Sequence, residues 1–101
     1  MDKKPHRVKI FNSPLPKKKK TATFYNKKGK IIKTIHFGSF GMSDFTIHKD
    51  EERKQRYLTR HQKRENWNDP LTAGALSRWI LWNKTTLRES IKDFKQKFNL
   101  K

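Results

Sequence analysis

The sequence predicts an α+β fold: a small N-terminal antiparallel sheet of two or three strands, then about three helices, the last two an αα-hairpin. Three observations carry this expectation. Residues 7–37 hold short β-branched and aromatic runs broken by turn residues, the pattern of paired strands. After residue 50 the apolar spacing changes from every second residue to every third or fourth, the period of a helix. Residues of the capping type stand where these helical runs begin. The expected division is a basic N-terminal segment with a β-hairpin (1–40) and a helical part (41–101) packed on it, together one compact domain.

Each element has a local cause. In Arg7-Val8-Lys9-Ile10-Phe11, Val8 and Ile10 fall on one face of a short strand. Asn12-Ser13-Pro14-Leu15-Pro16 breaks it, because each proline fixes φ and lacks an N–H donor. After four lysines, Thr21-Ala22-Thr23-Phe24-Tyr25 and a second run over 30–37 flank Asn26-Lys27-Lys28-Gly29. That spacing predicts a hairpin on a type I turn with Gly29 at positive φ. Ile31, Lys33, Ile35 and Phe37 share one face and Ile32, Thr34 and His36 the other; neither is purely apolar, so the buried face stays open. Gly38-Ser39-Phe40-Gly41 is a hinge, and Ser43 or Asp44 is placed to cap a turn around Phe45.

A helix is expected over 50–62. Asp50, Glu51 and Glu52 open it, while Arg56, Arg60 and His61 close it, which suits the helix dipole. Its apolar stripe is narrow, with Tyr57 and Leu58 as anchors. Asn68 or Asp69 before Pro70 marks the start of a helix over 70–82, with Trp67 as a hydrophobic staple against Leu71. Thr86-Leu87-Arg88-Glu89 is a capping box opening a helix over 87–98. There Leu87, Ile91, Phe94 and Phe98 form one stripe. The expected core comprises Phe24, Ile35, Phe37, Tyr57, Leu76, Trp79, Ile80, Ile91 and Phe94.

Composition narrows the function. The 101 residues carry 26 Lys and Arg against 9 Asp and Glu, a formal charge of +17. Residues 1–40 hold twelve of the basic residues and one acid, Asp2. Charge this dense repels itself unless an anionic partner is near. Nineteen of the basic residues are Lys and seven Arg. Lys is a hydrated point charge suited to generic phosphate contact, whereas Arg is the fork that reads guanine. Sequence-independent polyanion binding is therefore expected. With no cysteine, disulfides, thiolate catalysis and Cys-based zinc sites are excluded, and a reducing intracellular setting fits. The longest apolar run, Trp79-Ile80-Leu81-Trp82, has four residues, against about 20 for a membrane span. No apolar stretch follows Met1-Asp2-Lys3-Lys4, so no secretory signal is expected.

Candidate sites follow from the charge. Lys17, Lys18, Lys19 and Lys20 form one run, and Lys27, Lys28 and Lys30 crowd the hairpin turn. Arg53, Arg56, Arg60 and Arg64 recur every third or fourth residue, with Lys63 beside them. They would line one helix face and follow a phosphate backbone, if the helix continues that far. Asp50, Glu51 and Glu52 are consecutive and point different ways on a helix. They read as dipole caps rather than catalytic or metal-binding carboxylates. His6, His36, His48 and His61 lack the short fixed spacing of a zinc site. Trp79 and Trp82 read as core rather than as a base-stacking platform. With no phosphate loop and no nucleophile motif, no enzymatic activity and no cofactor is expected.

Residues 36–98 also resemble small basic proteins of unassigned function from nucleocytoplasmic large DNA viruses of the phycodnavirus and mimivirus type. The resembling stretches are His36-Phe37-Gly38, Gly41-Met42-Ser43-Asp44-Phe45-Thr46, His48-Lys49-Asp50-Glu51-Glu52-Arg53, Arg56-Tyr57 and Arg60-His61. They continue with Asn68-Asp69-Pro70-Leu71-Thr72-Ala73-Gly74, Leu76-Ser77-Arg78-Trp79-Ile80-Leu81-Trp82, and Leu87, Ile91 and Phe98. The family pattern has a basic residue in the Gly38 to Gly41 hinge. Here Phe40 stands there, which argues against a phosphate role for that loop. The resemblance implies a virion-associated protein, in the host cytoplasm or nucleus during infection. The function expected is contact with nucleic acid, chiefly DNA, inside the particle. The alternative is a minor capsid or cementing protein whose basic segment binds acidic capsid proteins or an internal membrane surface.

Overall fold

The computed structural model describes residues 3–101; Met1 and Asp2 lie outside the described residues. Strands β1 (Arg7–Asn12), β2 (Lys18–Tyr25) and β3 (Ile31–Ser39) form an antiparallel sheet in the order β1-β2-β3. Four helices follow: α1 (Phe45–His48), α2 (Glu51–His61), α3 (Ala73–Leu76), which continues as a π-helical turn over Ser77–Leu81, and α4 (Leu87–Lys97). The α+β expectation holds, with one short helix more than the sequence pattern announced. The radius of gyration, 13.4 Å, is that of one compact body of this length.

Register explains which sheet face is buried. Val8 pairs with Phe24, and Ile10 with Ala22, which also pairs with Ile35. Phe24 and Ala22 are fully buried, and Ile10 and Ile35 pack against the same cluster. The alternation in β3 then breaks. Phe24 pairs with Lys33 but Tyr25 with Ile31, so Ile32 is the extra residue of a β-bulge. A bulge reverses which side chains face inward. Ile32 accordingly packs on the core while Ile31 is exposed. This resolves the face that alternation alone leaves open.

The helices cover that face. Leu76, Ile80, Leu81 and Phe94 complete the buried cluster with Val8, Phe37 and Leu100, and Trp79, Trp82, Leu87, Ile91 and Phe98 pack around it. Of the expected core, Ile35, Trp79 and Ile91 are only partly buried, while Val8, Ala22, Phe45, Ala75, Leu81 and Leu100 join it. The π-turn is the reason for Leu81. The Trp82 N–H donates to the Ser77 carbonyl, five residues back (3.1 Å). The wider turn rotates Ile80 and Leu81 inward together, which uniform α-helical spacing would not.

Helix starts follow local side-chain chemistry. Asp50 caps α2, accepting from the Glu52 and Arg53 N–H groups, and Thr86 caps α4, accepting from Glu89. The helix expected from residue 70 starts later. Asp69 accepts from the Leu71 N–H (3.0 Å) as a turn, and Thr72 is the cap, accepting from Ala75 (3.2 Å). Short polar side chains of this kind compete with the helix for backbone donors. Trp67 braces the next helix: its carbonyl accepts from Trp79 Nε1 (2.7 Å), and its own Nε1 donates to Glu65 (3.0 Å).

Helix α2 touches the body on one stripe, as its sparse apolar content predicts. Tyr57 stacks on Trp82 at 4.3 Å and 3°, with His61 stacked on its other side at 4.2 Å. His48 meets the same tryptophan at 5.3 Å. Its Nδ1 accepts from the Asp50 N–H (2.9 Å), and its Nε2 is buried without a partner among the described residues. Burial holds the His48 pKa below its ordinary value, helped by Arg53 and Lys19 and opposed by Asp50 and Asp44. The unfolded chain therefore takes up this proton at higher pH than the folded one. Stability from neutral His48 is complete above pH about 6.5 and falls as pH drops through the lower folded value. Urea midpoints at pH 7.5 and pH 5 should diverge less in His48→Gln than in the wild type.

Candidate functional site

The β2–β3 turn is built by Asn26. Its Oδ1 accepts from the Lys28 and Lys30 N–H groups (3.0 Å each), and its carbonyl accepts from Gly29 (3.0 Å). Gly29 sits at φ +80°, a conformation in which a Cβ would be strained. The turn thus holds Lys27, Lys28 and Lys30 out in solvent.

Helix α4 delivers further charge to the same end of the sheet. Asn99 takes φ 53°, and the Leu100 N–H returns to the Lys95 carbonyl (2.8 Å). This left-handed stop is a common way to end a helix. It buries Leu100 and lays Lys101 along β1. The Val8 N–H donates to the Lys101 carbonyl (2.9 Å), and the Lys101 N–H donates to His6 (3.0 Å).

These two constructions enclose a cleft of about 670 Å³. It is lined by Arg7 and Lys9 from β1, Lys27 and Lys28 from the turn, and Lys95 and Lys101 from the C-terminal end, with His6 and Tyr25. Among the described residues no Asp or Glu lines it. Six cationic side chains around one opening attract phosphate by direct charge. Arg7 and Lys9 were visible in sequence as the outward positions of an alternating strand. Lys95 and Lys101 had no such signal, because a nonlocal pairing places them.

The other expected residues lie elsewhere. Lys30 is exposed on the turn but does not line the cleft. Lys17, Lys18, Lys19 and Lys20 stand at the opposite end of β2, where Lys18 pairs with Ser39. Lys19 is not free: its Nζ bonds the Asp44 carboxylate at 2.5 Å, with both side chains largely shielded. Lys20 donates to Asn12 Oδ1 (2.6 Å). On α2, Arg53, Arg56 and Arg60 are the helical members of the expected row, and Arg56 lies 3.9 Å from Glu52. The helix ends at His61, so Lys63 and Arg64 fall beyond it and the expected four-arginine row stops at three. The turn lysines therefore stand apart from the rest, whereas Lys18 and Lys19 share the lining of one cavity of about 360 Å³ with Arg60 of α2.

Other cations serve the interior. The Arg78 guanidinium lies 4.2 Å from the Trp79 ring and 5.4 Å from Trp67, and it donates to the Trp82 carbonyl (2.8 Å). Lys97 covers the Trp79 ring at 4.2 Å. Lys54 lies over Phe45 and donates to the Asn83 carbonyl (2.9 Å). Burial lowers the pKa of both Lys54 and Arg78. Trp79 and Trp82 thus already have partners within the fold. Among the described residues no cluster of His, Cys, Asp and Glu is placed to hold a metal ion. No helix among them is long and apolar enough to cross a membrane.

Residues 8–61 match a family of unknown function, DUF5754. The chain belongs to that family. The matched segment runs from Val8 in β1 through α2, so it contains nearly all of the sheet, the turn lysines and the Lys19–Asp44 pair, but neither His6 and Arg7 nor the α4 end of the cleft. No curated protein and no solved structure matches the chain.

Proposed function

We propose that this protein is a non-enzymatic nucleic-acid contact protein whose β1, turn and α4 cleft holds the phosphate backbone. The observation that supports it best is six Lys and Arg side chains lining one cleft, with no Asp or Glu beside them among the described residues. Lysine dominance and the absence of a built base-reading surface among the described residues favour binding without sequence preference. The proposed setting is the particle of a large DNA virus, which rests on the resemblance of residues 36–98 alone.

Phosphate contacts release counterions, so log K for duplex DNA falls with log salt by about 0.9 per phosphate neutralised. The Arg7→Ala, Lys28→Ala double variant is expected to flatten that slope by about 2. Lys63→Ala with Arg64→Ala should leave it nearly unchanged. Fluorescence anisotropy with a labelled duplex over a salt series measures both. A wild-type slope near zero rejects the reading, and equal loss in the two double variants rejects the cleft as its location.

A further inference from the structure

The end of the sheet opposite the cleft carries a different surface. The loop between β1 and β2 folds back beside α1 and the segment after β3, leaving a groove of about 650 Å³. Its walls include Leu15, Phe40 and Ile47, which are 43%, 71% and 62% exposed. Large apolar side chains gathered at this exposure mark a binding surface more often than chance scatter. Lysines rim the groove. Lys18 is exposed, and Lys20 donates to the neutral Asn12 amide oxygen. The one acid among the lining residues, Asp44, is already committed to Lys19 and to the Thr46 N–H and hydroxyl.

We propose that this groove docks an acidic, apolar segment of a protein partner. Two or three large apolar side chains of the segment fill the space between Leu15, Phe40 and Ile47, and flanking carboxylates meet Lys18 and Lys20. Charge complementarity selects this occupant. A phosphate backbone satisfies the lysines but offers nothing to the apolar walls. A lipid surface is met by apolar side chains that project together towards the bilayer, whereas these line a concavity. Pro14 and Pro16 fix φ on the loop that forms one wall, so little order is lost on binding. The proposal is independent of the phosphate cleft, since the two sites share no lining residue.

The test titrates the full ¹⁵N-labelled chain with a synthetic peptide of alternating glutamate and leucine. A control peptide carries serine at the leucine positions. Amide shifts are expected around Leu15, Lys18, Phe40 and Ile47 with the first peptide. Phe40→Ser, at an exposed position, is expected to weaken it about tenfold and to leave the salt slope for duplex DNA unchanged. Failure of the glutamate–leucine peptide to bind overturns the proposal, as does equal binding of the serine peptide or indifference to Phe40→Ser. Phosphatidylserine vesicles are the third probe. If Phe40→Ser weakens vesicle binding while the peptide does not bind, the surface belongs to lipid and the proposal is wrong.

Discussion

Replacing Asp44 by alanine is expected to cost about 3–5 kcal/mol, the loss typical of a buried ion pair stripped of one partner. The Asp44 side chain is 3% exposed and that of Lys19 13%. The variant leaves the largely covered Lys19 side chain without the carboxylate that pairs with it. It also removes the cap of α1, because Asp44 accepts the Thr46 N–H at 2.9 Å. Capping alone contributes about 0.5–2 kcal/mol. The two losses overlap, since one carboxylate serves both. Asp44→Asn combined with Lys19→Met keeps a capping side chain and an apolar stem, and it removes both charges together. It should therefore be clearly more stable than Asp44→Ala. A double-mutant cycle on urea midpoints isolates the pair. If Asp44→Ala stays within about 1 kcal/mol of wild type, the pair behaves as an ordinary surface contact.

Gly38→Ala should cost about 2–5 kcal/mol, for two reasons that separate experimentally: left-handed backbone costs a non-glycine residue about 1–2 kcal/mol, and overpacking against the buried Leu81 side chain about 1–3 kcal/mol. The residue lies at φ +78°, where a Cβ is strained, and that Cβ would stand 2.7 Å from Leu81 Cδ1 and 3.2 Å from Lys19 Cβ. Gly41 provides the contrast: it has φ +87°, but a Cβ added there would meet nothing within 4 Å. Gly41→Ala should lose the backbone part alone. Thermal or urea unfolding of both variants gives the difference directly. Equal losses would mean that Leu81 moves aside without cost.

Most of the fold was legible because local chemistry and global packing agree. The strand alternation, the Asn26 to Gly29 turn, and the Asp50 and Thr86 caps are short-range signals, each acting between near neighbours in the chain. What the sequence hides is mostly longer-range. Lys19 reads as one more surface lysine until β2 brings it to Asp44, twenty-five residues away. Ile31 and Ile32 look equivalent until the bulge chooses between them. The apolar run around Trp79 reads as uniform helix because the π-turn adds a residue without altering residue types. The candidate site divides in the same way. Turn lysines are visible from composition, and their alignment with Arg7 and Lys9 requires the hairpin register. Their union with Lys95 and Lys101 depends on a pairing between the two ends of the described chain.

That pairing bears on how the protein is made. While a ribosome is still producing α4, the outer edge of β1 has no Lys101 backbone to meet it. Val8 then belongs to an open strand edge, the kind of surface that recruits other nascent chains. A contact between His6 and Lys101 also closes a very long loop, and such contacts slow folding because their entropy is spent before they stabilise anything. The two cations on that edge, Arg7 and Lys9, repel a second copy in the interval. The same charges proposed to grip phosphate in the finished protein thus act earlier as guards against aggregation.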